Sequence, residues 1–196
     1  MSTIQEDASK NFKIADYIQF GNYPQTLQGD IKPIEWQILL IEDNKMLVIS
    51  KYGLEARRFD GSSNNWENSE IRKCLNGEFY NKAFNYSEKK YIKPFNFLDV
   101  GTIDKIFLLS QEEAVKYFSN NKARKCKATG YAKKNGAWVA DSSWGNNAGY
   151  SWWWLRSPCP IGSNDVYFVF YSGRLGNCNS VCDNRGVVRP ALWIEF

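Results

Sequence analysis

Three consecutive tryptophans, Trp152, Trp153 and Trp154, sit in the block SWWWLRSP at 151–158. Successive side chains on a strand point to opposite faces, so Trp153 opposes its two neighbours. The run therefore predicts a core strand with packed layers on both sides. An aromatic platform for stacking a sugar or a base is the sharper alternative. A second block, RGVVRPALW at 185–193, follows, and the two frame a stretch of unlike composition. Between Cys159 and Val188 there is no Lys, Glu, Gln, Met or Trp, although Lys is common elsewhere in the chain. The residue types present there are Asn, Ser, Gly, Tyr, Phe, Cys, Asp, Arg, Ile, Val, Leu and Pro. All of them can be coded by altering the two adenines of an Asn AAC codon, whereas the five absent types cannot. Such a filter between two rigid blocks predicts a surface meant to vary on a frame meant to persist.

The 196 residues suit one large domain. Hydrophobic content of 43%, with 16% aromatic, is enough for a sizeable core. The net charge of +4 is too mild to point to nucleic acid as a partner. The sequence has no histidine, which removes Ser-His-Asp and Cys-His catalysis and histidine-based zinc sites. Five cysteines, at positions 74, 126, 159, 178 and 182, cannot all pair, and a reducing compartment is expected. The Cys178–Cys182 spacing allows a metal or redox pair, but two unpaired thiols at or near the surface are the expected state. No apolar run is long enough to span a bilayer, and the polar start MSTIQEDASKNFKIAD has no signal-peptide core. A cytoplasmic protein is expected, or one displayed on a cell or phage particle by another route.

Along the chain, residues 1–12 read as a loose tail and 13–196 as a single domain. Residues 17–21 form a short strand, and IEWQILLI (34–41) with MLVIS (46–50) a hairpin. A helix is predicted over 69–79, capped by Asn68 or Ser69, with Ile71, Cys74, Leu75 and Phe79 on one stripe. A second helix is predicted from Ser87 to Lys93, ended by Pro94. KIFLL (105–109) reads as a buried strand. Ser110 and Glu113 form a capping box for a helix from Gln111 to Phe118 that buries Ala114, Val115 and Phe118. KARKCK at 122–127 is a basic cluster; phosphate or nucleic-acid contact is possible chemistry there, but a solvated loop or helix end is expected. DSSWGNNAG at 141–149 has loop composition. Arg156 and Arg189 are expected to pin loops to the frame through carboxylate or carbonyl partners.

The ordered segments IQFGNYPQT, IEWQILLI, LVISKYGLEARRFD, W-x-x-S-x-I-R-x-x-L-N at 66–76, KIFLLSQEEA, SWWWLRSP and GVVRPALW resemble a bacterial and phage domain. It is the C-type lectin-fold variable protein of diversity-generating retroelements, close to the formylglycine-generating enzyme branch. The resemblance covers nearly all of the chain after the first dozen residues. It implies an α+β, C-type lectin-like fold with small mixed or antiparallel sheets, two flanking helices and long irregular loops. It also implies paired N- and C-terminal strands, here Ile18-Gln19-Phe20 with Leu192-Trp193-Ile194. In diversified members, the stretch between WWLRSP and RPAL is rewritten by reverse transcription with adenine mutagenesis.

The expectation is a non-catalytic binding protein, without cofactor or metal, whose variable region (about 159–188) meets a protein or other macromolecule. Val166, Val169, Leu175 and Val181 are expected to hold the path of that stretch, with Gly173 and Gly186 at turns. The binding face is expected to comprise Ile161, Ser163, Asp165, Phe168, Phe170, Tyr171, Arg174, Asn177, Cys178, Asn179, Cys182, Asp183 and Arg185. Tyr167 fits either class. This palette of aromatic anchors and adaptable polar groups is that of antibody loops. Serine at Phe168, Phe170 and Tyr171 together is expected to leave folding intact. Two alternatives remain: an oxidase related to formylglycine-generating enzymes, for which no position matches the copper-binding cysteine pair, and a calcium-dependent lectin, whose EPN, QPD and WND triplets are absent.

Overall fold

The computed structural model describes residues 12–98, 100–176 and 178–196. In chain order the strands begin with β1 (Tyr17–Pro24), β2 (Ile31–Glu42), β3 (Lys45–Ser50), β4 (Tyr52–Gly53) and β5 (Glu55–Ala56). Helix α1 (Glu70–Cys74) continues through one π-helical stretch (Leu75–Phe79) into α2 (Tyr80–Ala83), and α3 spans Tyr86–Lys89. Then come β6 (Ile92–Lys93), β7 (Phe95–Phe97), β8 (Thr102–Asp104), α4 (Gln111–Tyr117), α5 (Asn121–Arg124), β9 (Lys127–Ala128) and α6 (Gly130–Lys134). A 3-10 segment (Ser142–Asn147) leads to β10 (Trp153–Pro158), β11 (Asp165–Val169), β12 (Asn179–Ser180), β13 (Val187–Val188) and β14 (Ala191–Glu195).

Two five-stranded sheets organise the α+β fold. The first has the order β1-β2-β3-β14-β6, the second β12-β11-β10-β13-β5. The hairpin of β2 and β3 closes at the polar turn as the sequence predicts, with Glu42 opposite Lys45. The tryptophan block is the middle strand of the second sheet, covered on both faces. Trp152 and Trp154 meet edge to face at 4.7 Å, while Trp153 packs against Phe118. The core-strand reading of the tryptophans is what the structure has. The second block stitches the sheets together: Val187 and Val188 belong to one sheet, Ala191–Glu195 to the other, with Arg189 and Pro190 at the crossing. Tyr23 of β1 donates to Glu55 of β5 as a further tie between the sheets.

The terminal strands share a sheet but do not pair, contrary to expectation. β1 pairs only with β2, and both β2 and β3 lie between it and β14. The reason is local: consecutive hairpins take up those edges first. The helix expected from Ser87 to Lys93 stops at Lys89, capped by Asn85 and Glu88. Pro94 disfavours helical backbone at Lys93, so Ile92 and Lys93 become extended and pair with β14. In KIFLL, Lys105 is exposed and 106–109 are buried, but the segment bridges β14 only at Phe107–Ala191, where β6 takes the rest of that edge. The helix after Ser110 has the expected capping box, but Val115 is exposed. Of the stripe at 71–79, Cys74 is only half-buried. The tail reading for 1–12 lies outside the described residues except for Phe12, whose ring meets Phe196 at 5.5 Å.

Both block arginines hold the frame. Arg156 is buried and forks onto the Glu113 carboxylate of α4 while donating to the Leu108 carbonyl. Glu113 thus serves two partners, since it also accepts from the Ser110 amide. Arg189 donates to the carbonyls of Ser50 and Arg124.

Candidate functional site

The stretch between the blocks holds two strands, β11 and β12, with the turns and loops that join them to each other and to the blocks. β11 pairs β10 on one edge and β12 on the other. Val166, Val169 and Val181 are wholly buried, which fits their assignment to the frame; Leu175 is half-buried. Two glycines are required by close approach. Gly173 has φ +80°, and a β-carbon there would stand 1.7 Å from the Asn121 carbonyl oxygen. Gly186 sits under the tryptophans, where a β-carbon would come within 2.3 Å of the Trp152 ring.

Most expected face positions reach the surface. Ile161 is 89% exposed. Ser163, Arg174, Cys182 and Arg185 are exposed, and Asp165, Phe170, Tyr171, Asn179 and Asp183 are half-buried, as is Tyr167. Asn177 lies outside the described residues. Phe168 is a correction: only 8% of it is exposed. On a strand the period of two puts Phe168 on the side of Val166, where it packs against Trp152 at 5.4 Å. Cys178 is a second correction. It forms a disulfide with Cys159, Cα to Cα 5.9 Å, and not a pair with Cys182. That bond also runs against the expectation of a reducing compartment and of an unpaired thiol at Cys178. Cys182 is a free exposed thiol donating to the Gly61 carbonyl.

The exposed positions form two groups along β11. At the Asp165 end, a loop over 57–65 supports the stretch. Asn64 is its chief contact: its side-chain amide donates to the carbonyls of Gly162 at 2.8 Å and Asp165 at 3.0 Å. Its backbone amide donates to Ser163. Phe59 and Asp60 both donate from their backbone to Val181. Within the stretch, Arg185 forks onto Asp183 at 3.0 and 2.8 Å, and Asn179 donates to the same carboxylate. Burial alone would raise the Asp183 carboxyl, but these hydrogen bonds hold it below its ordinary value. The same balance holds for Asp60, where burial is outweighed by amides of Ser62, Ser63 and Glu70.

At the Val169 end lies an aromatic patch. Tyr171 contacts Trp144 at 4.7 Å and Trp138 at 5.1 Å, and Phe170 lies beside Tyr171 under the Arg174 guanidinium. Trp144 is 44% exposed at the tip of the 3-10 segment, which Asp141 caps. The Trp138 amide donates to Arg185, tying this loop to the stretch. Sequence reasoning passed over Trp138, Trp144 and Asn64. The available signal for Trp144 was a large aromatic inside a Ser/Asn/Gly loop, where packing gives no reason for it.

Among the described residues, no group of three or more His, Cys, Asp or Glu is placed to hold a metal ion. No described helix is long and apolar enough to cross a membrane. The fold is a mixed α+β domain with two stitched sheets, few short helices and a disulfide-stapled segment at the edge of one sheet. The chain belongs to the DUF6273 family, described as a domain of unknown function, whose model matches residues 43–196. No curated protein and no solved structure matches it.

Proposed function

We propose that this protein is a non-catalytic binder of the C-type lectin-like class. Its face between Cys159 and Val188 is diversified by a retroelement through adenine mutagenesis and recognises a protein or other macromolecule. The observation that carries the reading is the division of one short stretch into two populations. Val166, Val169 and Val181 are sealed in the core, while Ile161, Ser163, Arg174, Cys182 and Arg185 stand at the surface. The latter can exchange side chains at little cost to the fold, because surface positions contribute little to stability. The absence of Lys, Glu, Gln, Met and Trp from the stretch supports the same reading. Half-buried Phe170 and Tyr171, with Trp138 and Trp144, supply the rigid aromatic area on which binding faces rely.

The test is genetic. Sequencing the surroundings of the gene should find a reverse transcriptase gene and a near-copy of the 159–188 coding stretch, with AAC codons at the exposed positions. Independent isolates should differ at those positions and agree at Val166, Val169 and Val181. A stretch identical among isolates, with no near-copy nearby, refutes the proposal.

A further inference from the structure

Away from the variable stretch, a cleft of about 350 Å³ opens between the first sheet and the segment that holds α5 and β9. That size suits a small ligand. Its cationic lining is Lys51, Lys122, Lys125, Lys127 and Arg189, and no Asp or Glu lines it among the described residues. Glu35 neutralises Lys51 from outside at 3.1 Å. Three tyrosines complete the walls, but their faces are already covered by ammonium groups. Lys51 lies over Tyr17 and Tyr52, and Lys125 and Lys127 lie over Tyr150 at 4.8 and 5.3 Å. The rings therefore position cations at the walls of the cleft. At the base sits Arg189, 2% exposed, donating to the carbonyls of Ser50 at 2.8 Å and Arg124 at 3.4 Å, with its guanidinium over the Trp153 and Phe118 rings at 5.0 and 5.2 Å. Its Nη2 makes no hydrogen bond among the described residues. Burial pulls this guanidinium below its ordinary value, and among the described residues its charge is met by carbonyls and ring faces and by no carboxylate.

We infer that this cleft is a second binding site, for a compact polyanion carrying two or three phosphate groups, with Arg189 at its base and Lys122, Lys125 and Lys127 at its mouth. Convergent ammonium and guanidinium donors without a competing carboxylate suit phosphate oxygens. The basic cluster at 122–127 is then one wall of a site and not merely a solvated helix end. The inference is independent of the variable face.

Isothermal titration of the intact chain with tripolyphosphate, in about 0.15 M salt, tests it. One tripolyphosphate should bind per chain, and Lys125→Gln with Lys127→Gln should weaken it about tenfold or more at an unchanged melting temperature. Lys122→Gln, at an exposed position, is the second variant and should weaken binding even if the double variant folds poorly. The inference is overturned if tripolyphosphate does not bind at millimolar concentration, or if binding is indifferent to Lys122→Gln. Tighter binding of a single-stranded oligonucleotide than of tripolyphosphate would also overturn it, by making the cleft part of a nucleic-acid track.

Discussion

Asn64 holds the 159–188 stretch from outside it, its side chain donating to the carbonyls of Cys159, Gly162 and Asp165. Replacing it with Ala leaves the Gly162 carbonyl without this donor and the Asp165 carbonyl with the Cys159 amide alone. The expected cost is about 1–3 kcal/mol in chemical denaturation, with faster hydrogen exchange confined to amides near 162–165. Glu113→Ala should cost about 3 kcal/mol or more, because it strands the buried Arg156 and removes half of a capping box. Asp60 and Asp183 give a pH signature. Their carboxyls are depressed in the fold, so what they contribute is present above the unfolded value near ~4 and is lost as pH falls through the folded value. Melting temperature should drop below about pH 4, and Asp60→Asn with Asp183→Asn should make that drop shallower. The block arginines were legible in the sequence, since a buried guanidinium must find oxygen partners. Asn64 was not: it sits in turn composition, and its partner Asp165 is 101 residues away.

At the scale of the element, β11 decides which side chains are displayed. Its alternation buries Val166 and Phe168, Phe168 against Trp152, and leaves Asp165 and Tyr167 half-buried. Phe168→Ser should therefore destabilise by about 3–5 kcal/mol, measured by thermal or urea unfolding, while Tyr171→Ser should cost far less. Phe168 was misplaced because Val166 and Val169, both assigned to the frame and both buried, have opposite parity and leave the side of Phe168 open. The disulfide is a different case. Cysteine spacing cannot say which thiols meet, and Cys159 and Cys178 meet only because β11 and β12 fold back on β10. Closing a loop of 19 residues contributes about 3 kcal/mol in the chain-entropy account, so Cys159→Ala with Cys178→Ala should lower stability by that order. The β2–β3 hairpin and the Ser110 cap were legible because their signals are local. The segment at 87–93 was misread because its extended half is set by a partner strand 100 residues on.

For the whole molecule, the two blocks that frame the display stretch are its mechanical centre. One is the middle strand of the second sheet, and the other crosses from that sheet into the first. Everything between them hangs from fixed ends, a buried valine set and one disulfide. The α+β class followed from local patterns, whereas the order of strands did not, because it depends on which edges remain free after the hairpins close. The central claim is that this skeleton is indifferent to the side chains it displays. The direct measurement is the thermal unfolding of one chain carrying Ile161→Asn, Ser163→Tyr, Arg174→Ser and Arg185→Tyr together. The account predicts a single cooperative transition within about 4 °C of the parent. A fall of more than about 10 °C, or a loss of cooperativity, would contradict it.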